Sequence, residues 1–152
     1  MKNKMRARRA LHLIDLENQL GGGKYPQQSV EIYQKLYEAH VPQAELDQFY
    51  VAANPGVKIQ TSFGWTKSAP EYNPGKNGAD LLIAEYLEDI DYVKNNFGKV
   101  FIASGDGAFI RIVRLLKENA VGVTMVKGLG VMHPEYFALD IPIIDLEDYW
   151  NN

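Results

Sequence analysis

Four short apolar runs, each closed by turn-forming residues, most narrowly constrain what this chain can fold into. Ala10-Leu11-His12-Leu13-Ile14-Asp15 is the first, and residues 48–53, 99–104 and 121–126 are the others. Each is too short for a helix of ordinary length and reads as a largely buried strand. The segments between them have helical spacing. Residues 29–40 place Val30, Tyr33, Leu36 and Tyr37 on one face, with Ser29 as the expected N-cap and Pro42 closing the element. Residues 80–89 are rich in helix formers, and a shorter helical piece follows at 92–97. Residues 108–119 put Phe109, Ile112, Val113 and Leu116 inward and Arg111, Arg114 and Lys117 outward.

Strands alternating with helices predict a parallel sheet covered on both faces. The expectation is an α/β fold, a single-domain three-layer sandwich with a mainly parallel sheet of roughly four or five strands, PIN-like or Rossmann-like in architecture. Residues 57–65 read equally as a short helix or a strand. Residues 68–75, with Pro70 and Pro74, read as a loop. A short helix is expected at 134–139 and an edge strand at 142–146. The domain is placed at 10–146, between a basic tail at 1–9 and a C-terminal tail at 147–152. A chain of 152 residues buries roughly 70% of its unfolded surface and needs no disulfide or metal to complete a core.

Composition narrows the functional classes. There is no cysteine, which excludes a disulfide scaffold, a thiolate zinc site and a cysteine nucleophile. No apolar run approaches the ~18 residues that span a bilayer, and the run after the basic N-terminus carries His12 and Asp15, so the reading is a cytoplasmic protein without a membrane partner. The net charge of −3 provides no overall basic field for nucleic acid. Lys2, Lys4, Arg6, Arg8 and Arg9 nevertheless cluster at one end, as a solvated tail or as a phosphate-contacting arm.

Ligands of open parallel sheets bind outside the carboxyl ends of the strands. Asp15 ends the first strand, with Glu17 and Asn18 just beyond. Ser104 ends the third, with Asp106 just beyond. Asp80 opens a helix between them. Asp80 and Asp106 also read as helix caps. Asp15 interrupts an apolar strand, where a lone carboxylate is costly. Clustered carboxylates repel unless a proton is shared or a cation neutralises them. Mg²⁺ and Mn²⁺ prefer such oxygen ligands. Arg111, Arg114 and Lys117 form a basic stripe beside this edge, either a solvated face or a phosphate-binding one. Trp65 and Tyr72, near Lys58 and Lys67, read as base-stacking aromatics or as core. The three histidines have no metal spacing, and no glycine run matches a phosphate-loop or dinucleotide fingerprint. Gly21-Gly22-Gly23 reads as a flexible loop.

At these residues the chain resembles the NYN branch of the PIN-like nucleases. Leu13-Ile14-Asp15-Leu16-Glu17-Asn18 resembles the family's opening strand, Lys76-Asn77-Gly78-Ala79-Asp80 its central Lys-x-x-x-Asp element, and Ile102-Ala103-Ser104-Gly105-Asp106-Gly107-Ala108-Phe109 its Ser-Gly-Asp-x-Asp-Phe signature. The resemblance covers roughly residues 10 to 130. It implies a metal-dependent ribonuclease in which Asp15, Asp80 and Asp106 hold Mg²⁺ or Mn²⁺. It further implies that Asn18, Lys76, Ser104, Gly107 and Arg111 support the site or a phosphate. The expected partner is RNA, single-stranded or structured, and a homo-oligomer stays open. Ala108 stands where the signature carries a second aspartate. Alanine cannot ligate a metal, so a nucleic-acid-binding domain without catalysis is the second reading. A domain binding a small phosphorylated ligand at residues 104–107 is the third. Glu17 and Glu85 are the substitute carboxylates.

Overall fold

A computed structural model of the protein describes residues 9–151. Six strands form one sheet: β1 (Ala10–Asp15), β2 (Gln48–Ala53), β3 (Glu71–Tyr72), β4 (Lys99–Ala103), β5 (Gly122–Lys127) and β6 (Ile143–Asp145). Six helices accompany them: α1 (Leu16–Gln19), α2 (Gln27–His40), α3 (Lys58–Gly64), α4 (Gly78–Glu88), α5 (Ile90–Asn96) and α6 (Ile110–Glu118). All strand pairings are parallel, in the order β3-β2-β1-β4-β5-β6. The α/β architecture is as the apolar runs predict. The sheet has six strands rather than four or five, because Glu71–Tyr72, inside the proline-rich segment, pairs with Ala52 and Ala53.

β1 lies at the centre and every one of its residues is buried. Its side chains alternate between two cores, as a strand's period of two requires. Leu11 and Leu13 pack with Ile83 and Leu87 of α4 and Val113 and Leu116 of α6. Ala10 and Ile14 pack with Val30, Tyr33 and Tyr37 of α2 and with Trp65. β4 alternates in the same sense: Val100 and Ile102 join the first core, Phe101 and Ala103 the second.

One local expectation is corrected and two open readings are resolved. α2 starts at Gln27 after Pro26, so Ser29 lies inside the helix and not at its cap. Within residues 57–65, Lys58–Gly64 is helix, and it packs so closely on α2 that a methyl on Gly64 would lie 2.6 Å from the Val30 Cβ. Trp65 is 1% exposed and belongs to the core, so it is no platform for bases. The basic tail at 1–8 lies outside the described residues. Arg9, the last of its cations, bonds the Leu46 carbonyl and the Gln48 side chain. At the other end, Tyr149 stacks on His40 at 3.7 Å and Trp150 packs against the second core.

His12 is fully buried, stacked between Phe49 and Phe101 at 4.3 and 4.7 Å. Burial holds the Tyr37 hydroxyl protonated, so it donates to His12 Nδ1 at 2.6 Å; Nε2 therefore carries the ring proton and donates to Asp47 at 2.8 Å. Burial lowers the His12 pKa below its ordinary value, outweighing the Asp47 hydrogen bond and charge that raise it. A base with a lowered folded pKa binds its proton in the unfolded chain first. Stability from this residue is thus complete above about pH 6.5 and is lost as pH falls below it, by at most about 1.4 kcal/mol per pH unit. Urea midpoints measured from pH 7.5 down to 5 should fall faster for the wild type than for His12→Phe, which keeps the aromatic stack. Parallel curves would refute the assignment.

Candidate active site at the carboxyl edge of the sheet

The strand order reverses direction between β1 and β4, and in open parallel sheets the crevice at such a switch point receives the ligand. Here Ile14 pairs with Ala103, which brings Asp15 alongside Ser104. Asp15 continues the alternation of Leu11 and Leu13, so its side chain emerges on the α4 face of the sheet. Asp80 stands in the first turn of that helix. Asp106 lies two residues past Ser104, where its side chain caps the following 3₁₀ turn by accepting from Ala108 N at 2.8 Å. The three carboxylates come from three separate elements and line one cavity of about 270 Å³.

Asp15 is 3% exposed and is held from two sides. Asn18 N donates to Oδ1 at 3.2 Å and Ser104 Oγ donates to Oδ2 at 3.3 Å. Burial raises its pKa, and these bonds, with one from Asp80, oppose the rise. Asp80 is pushed up to about 9, first by burial and then by Asp15 and Asp106. Both carboxyls are thus pushed up, and a proton retained by Asp80 relieves its repulsion of Asp15 and Asp106. Burial and the Asp15 charge also raise Glu17, which lines the same cavity.

Asn18 ties the site together. Its Oδ1 accepts from Gly105 N at 2.8 Å, and its Nδ2 donates to the Val131 carbonyl at 3.3 Å. One short side chain thus joins the loops that follow β1, β4 and β5. Gln19 adds a second tie: its Nε2 donates to the Val126 carbonyl at 3.1 Å and its Oε1 accepts from Tyr33 at 2.7 Å. The Tyr136 hydroxyl donates to the Asp106 carbonyl and steadies that loop from behind.

The remaining sequence candidates divide. Lys76 and Asn18 line the cavity with the aspartates. Ser104 is fully buried beneath it. Gly107 faces the His133 ring, and Arg111 is an exposed residue on α6; neither reaches the lining. Arg114 pairs with Glu135 at 3.1 Å and Lys117 bonds the Leu139 carbonyl, so two of the stripe's three cations are spent on the domain's own surface. Glu85 lies near Tyr50, away from the cavity. Gln19, Gly130, Val131 and Tyr136 were not among the sequence candidates. Only the two glycines after β5, Gly128 and Gly130, hint at a close approach: a methyl on either would overlap a backbone carbonyl oxygen of α1, Gln19's or Asn18's.

The donor set is all oxygen, which suits a hard divalent cation. Among the described residues no three carboxylates or imidazoles stand ready around a single ion position. A proton retained by Asp80, whose pKa is pushed up to about 9, offsets part of the repulsion that a cation's charge would otherwise relieve. What fold and site define together is an α/β protein with one parallel sheet and a carboxylate-lined cavity at its topological switch point. No protein-family model matches the chain, and neither the curated proteins nor the solved structures hold a match to it.

Proposed function

We propose that the protein is a cytoplasmic, divalent-metal-dependent ribonuclease of the NYN kind. The observation that carries this reading is the convergence of Asp15, Asp80 and Asp106 on one cavity at the β1–β4 switch point. A bound Mg²⁺ or Mn²⁺ supplies a Lewis acid that activates water and offsets charge on a phosphate. Asp15, Asp80 and Asp106 are the groups that would hold it. Ser104 Oγ and Asn18 N fix the orientation of Asp15. Lys76, the one cationic side chain of the lining among the described residues, would attract a phosphate into an otherwise acidic site.

Ala108 favours a second reading, an RNA-binding module without catalysis. Its side chain offers no ligand at the signature's second acidic position, and its backbone N–H is already taken by Asp106. One experiment separates the two. Labelled single-stranded RNA is incubated with the protein in Mn²⁺, Mg²⁺ or EDTA, beside Asp106→Asn. The ribonuclease reading expects metal-dependent cleavage that the variant loses by at least about a hundredfold. RNA retention that persists in EDTA, without cleavage in either metal, would favour the binding module.

A further inference from the structure

Val131 is the most exposed of the large apolar side chains in the described residues, at 83%, and it lines the acidic cavity. Single exposed apolar residues are ordinary on protein surfaces. This one differs in how its backbone is held. Its carbonyl accepts from Asn18 Nδ2 at 3.3 Å. On one side, Gly130 is pressed so close to Asn18 that an added methyl would lie 2.9 Å from its carbonyl carbon. On the other, His133 N donates to the Gly105 carbonyl at 2.8 Å. A β-branched side chain on a fixed backbone has one stiff torsion, so it loses little freedom on making a contact. The fold therefore presents a rigid apolar lip at the mouth of the site and buries nothing with it.

The charge of the cavity says what such a lip would meet. Among the described residues, Asp15, Glu17, Asp80 and Asp106 share the lining with one ammonium, that of Lys76. Beyond the phosphate held through a metal ion at the carboxylates, a polyanionic backbone gains little from this lining, so contacts to the uncharged parts of the substrate would add affinity. In RNA those are the ribose and the base. We propose that Val131 is a substrate-contact residue that packs against the nucleoside next to the phosphate held at the carboxylates. The inference rests on the ribonuclease reading above.

The test is steady-state cleavage of a fluorescein-labelled oligouridylate by the wild type, Val131→Ala and Val131→Ile, with thermal melts of all three. Loss of two carbons from an apolar contact should raise KM about five- to tenfold. A contact made equally in ground and transition states leaves kcat unchanged. The melting temperature should stay at the wild-type value, because the side chain buries nothing in the fold, and Val131→Ile should keep the wild-type KM. An unchanged KM in Val131→Ala, from a wild type that cleaves, overturns this inference alone. A lowered melting temperature with kcat and KM both disturbed would assign Val131 a structural role and overturn it too. A wild type that cleaves in neither metal overturns the ribonuclease reading and this inference with it.

Discussion

Asp80→Asn should make the metal-free protein more stable at pH 8 while reducing metal-dependent cleavage by at least about a hundredfold. The two effects share one cause. In the free protein Asp80 sits beside Asp15 and Asp106, and its pKa is pushed up to about 9 by burial and by their charges. An acid whose folded pKa is raised keeps its proton after the unfolded chain has lost it. Its contribution to stability is therefore greatest below about pH 4 and declines as pH rises towards 9. Asparagine has no charge to lose, and its amide can donate to a neighbouring carboxylate. The cavity is open to water, so screening reduces the gain to about 1–2 kcal/mol. For a domain of this size that is roughly 3–8 °C in melting temperature.

The same substitution removes one of the carboxylates available to a cation. Saturating Mn²⁺, at about a hundred times its dissociation constant, should stabilise the wild type by about 2.7 kcal/mol and Asp80→Asn by much less. Melts at pH 6 and pH 8, with Mn²⁺ and with EDTA, check both halves without depending on an activity assay. A variant that matches the wild type in all four conditions would show that Asp80 neither repels its neighbours nor binds metal. This is the familiar trade in which a functional carboxylate cluster lowers the stability of the fold that carries it.

How much of this was legible in the sequence follows from the range of the interactions involved. β1 is legible because six buried residues in a row, ending in a carboxylate, leave little choice. The edge at which Asp15, Asp80 and Asp106 meet is legible for the same reason: each lies at an element end, and parallel strands put those ends together. β3 is not legible, since two residues carry no period and Glu71–Tyr72 becomes a strand only through its pairing with Ala52 and Ala53. The start of α4 is misplaced by two residues because Gly78 packs under the Asn73 carbonyl, which leaves no mark in helix propensity. Gly107 and Arg111 follow Asp106 in sequence, yet the turn and helix carry them behind the site instead of into it. Asn18 reaches Gly105 and Val131 across 87 and 113 positions, which no local pattern encodes. The upward push on Asp15 and Asp80 depends on burial and on charges brought together by the fold, so it too required coordinates.

Those long-range ties lead to the second large effect, at a residue without a side chain. Gly105→Ala should destabilise the protein by about 3 kcal/mol or more and disorganise the site, whereas Gly107→Ala should cost about 1 kcal/mol or less. A methyl on Gly105 would overlap the Val131 carbonyl oxygen and stand 2.6 Å from the Met132 Cα. Both obstacles are backbone. The Val131 carbonyl is held by Asn18, and the Gly105 N–H is bonded to the same asparagine, so relief requires breaking the tie that joins the loops after β1, β4 and β5. At Gly107 the obstacle is the His133 ring, 2.9 Å from the added carbon, a side chain that can shift at the cost of its one bond from Glu135 N. Two alanines placed two residues apart on one loop therefore differ in what they strike. Melting temperatures should separate by roughly 4–12 °C in a domain of about 150 residues. Gly105→Ala should also lose any affinity for Mn²⁺, because Asp15 and Asp106 are positioned through that same tie. Equal, small losses from both alanines would mean that the loop after β5 moves freely, and that Asn18 does not hold the three loops in register.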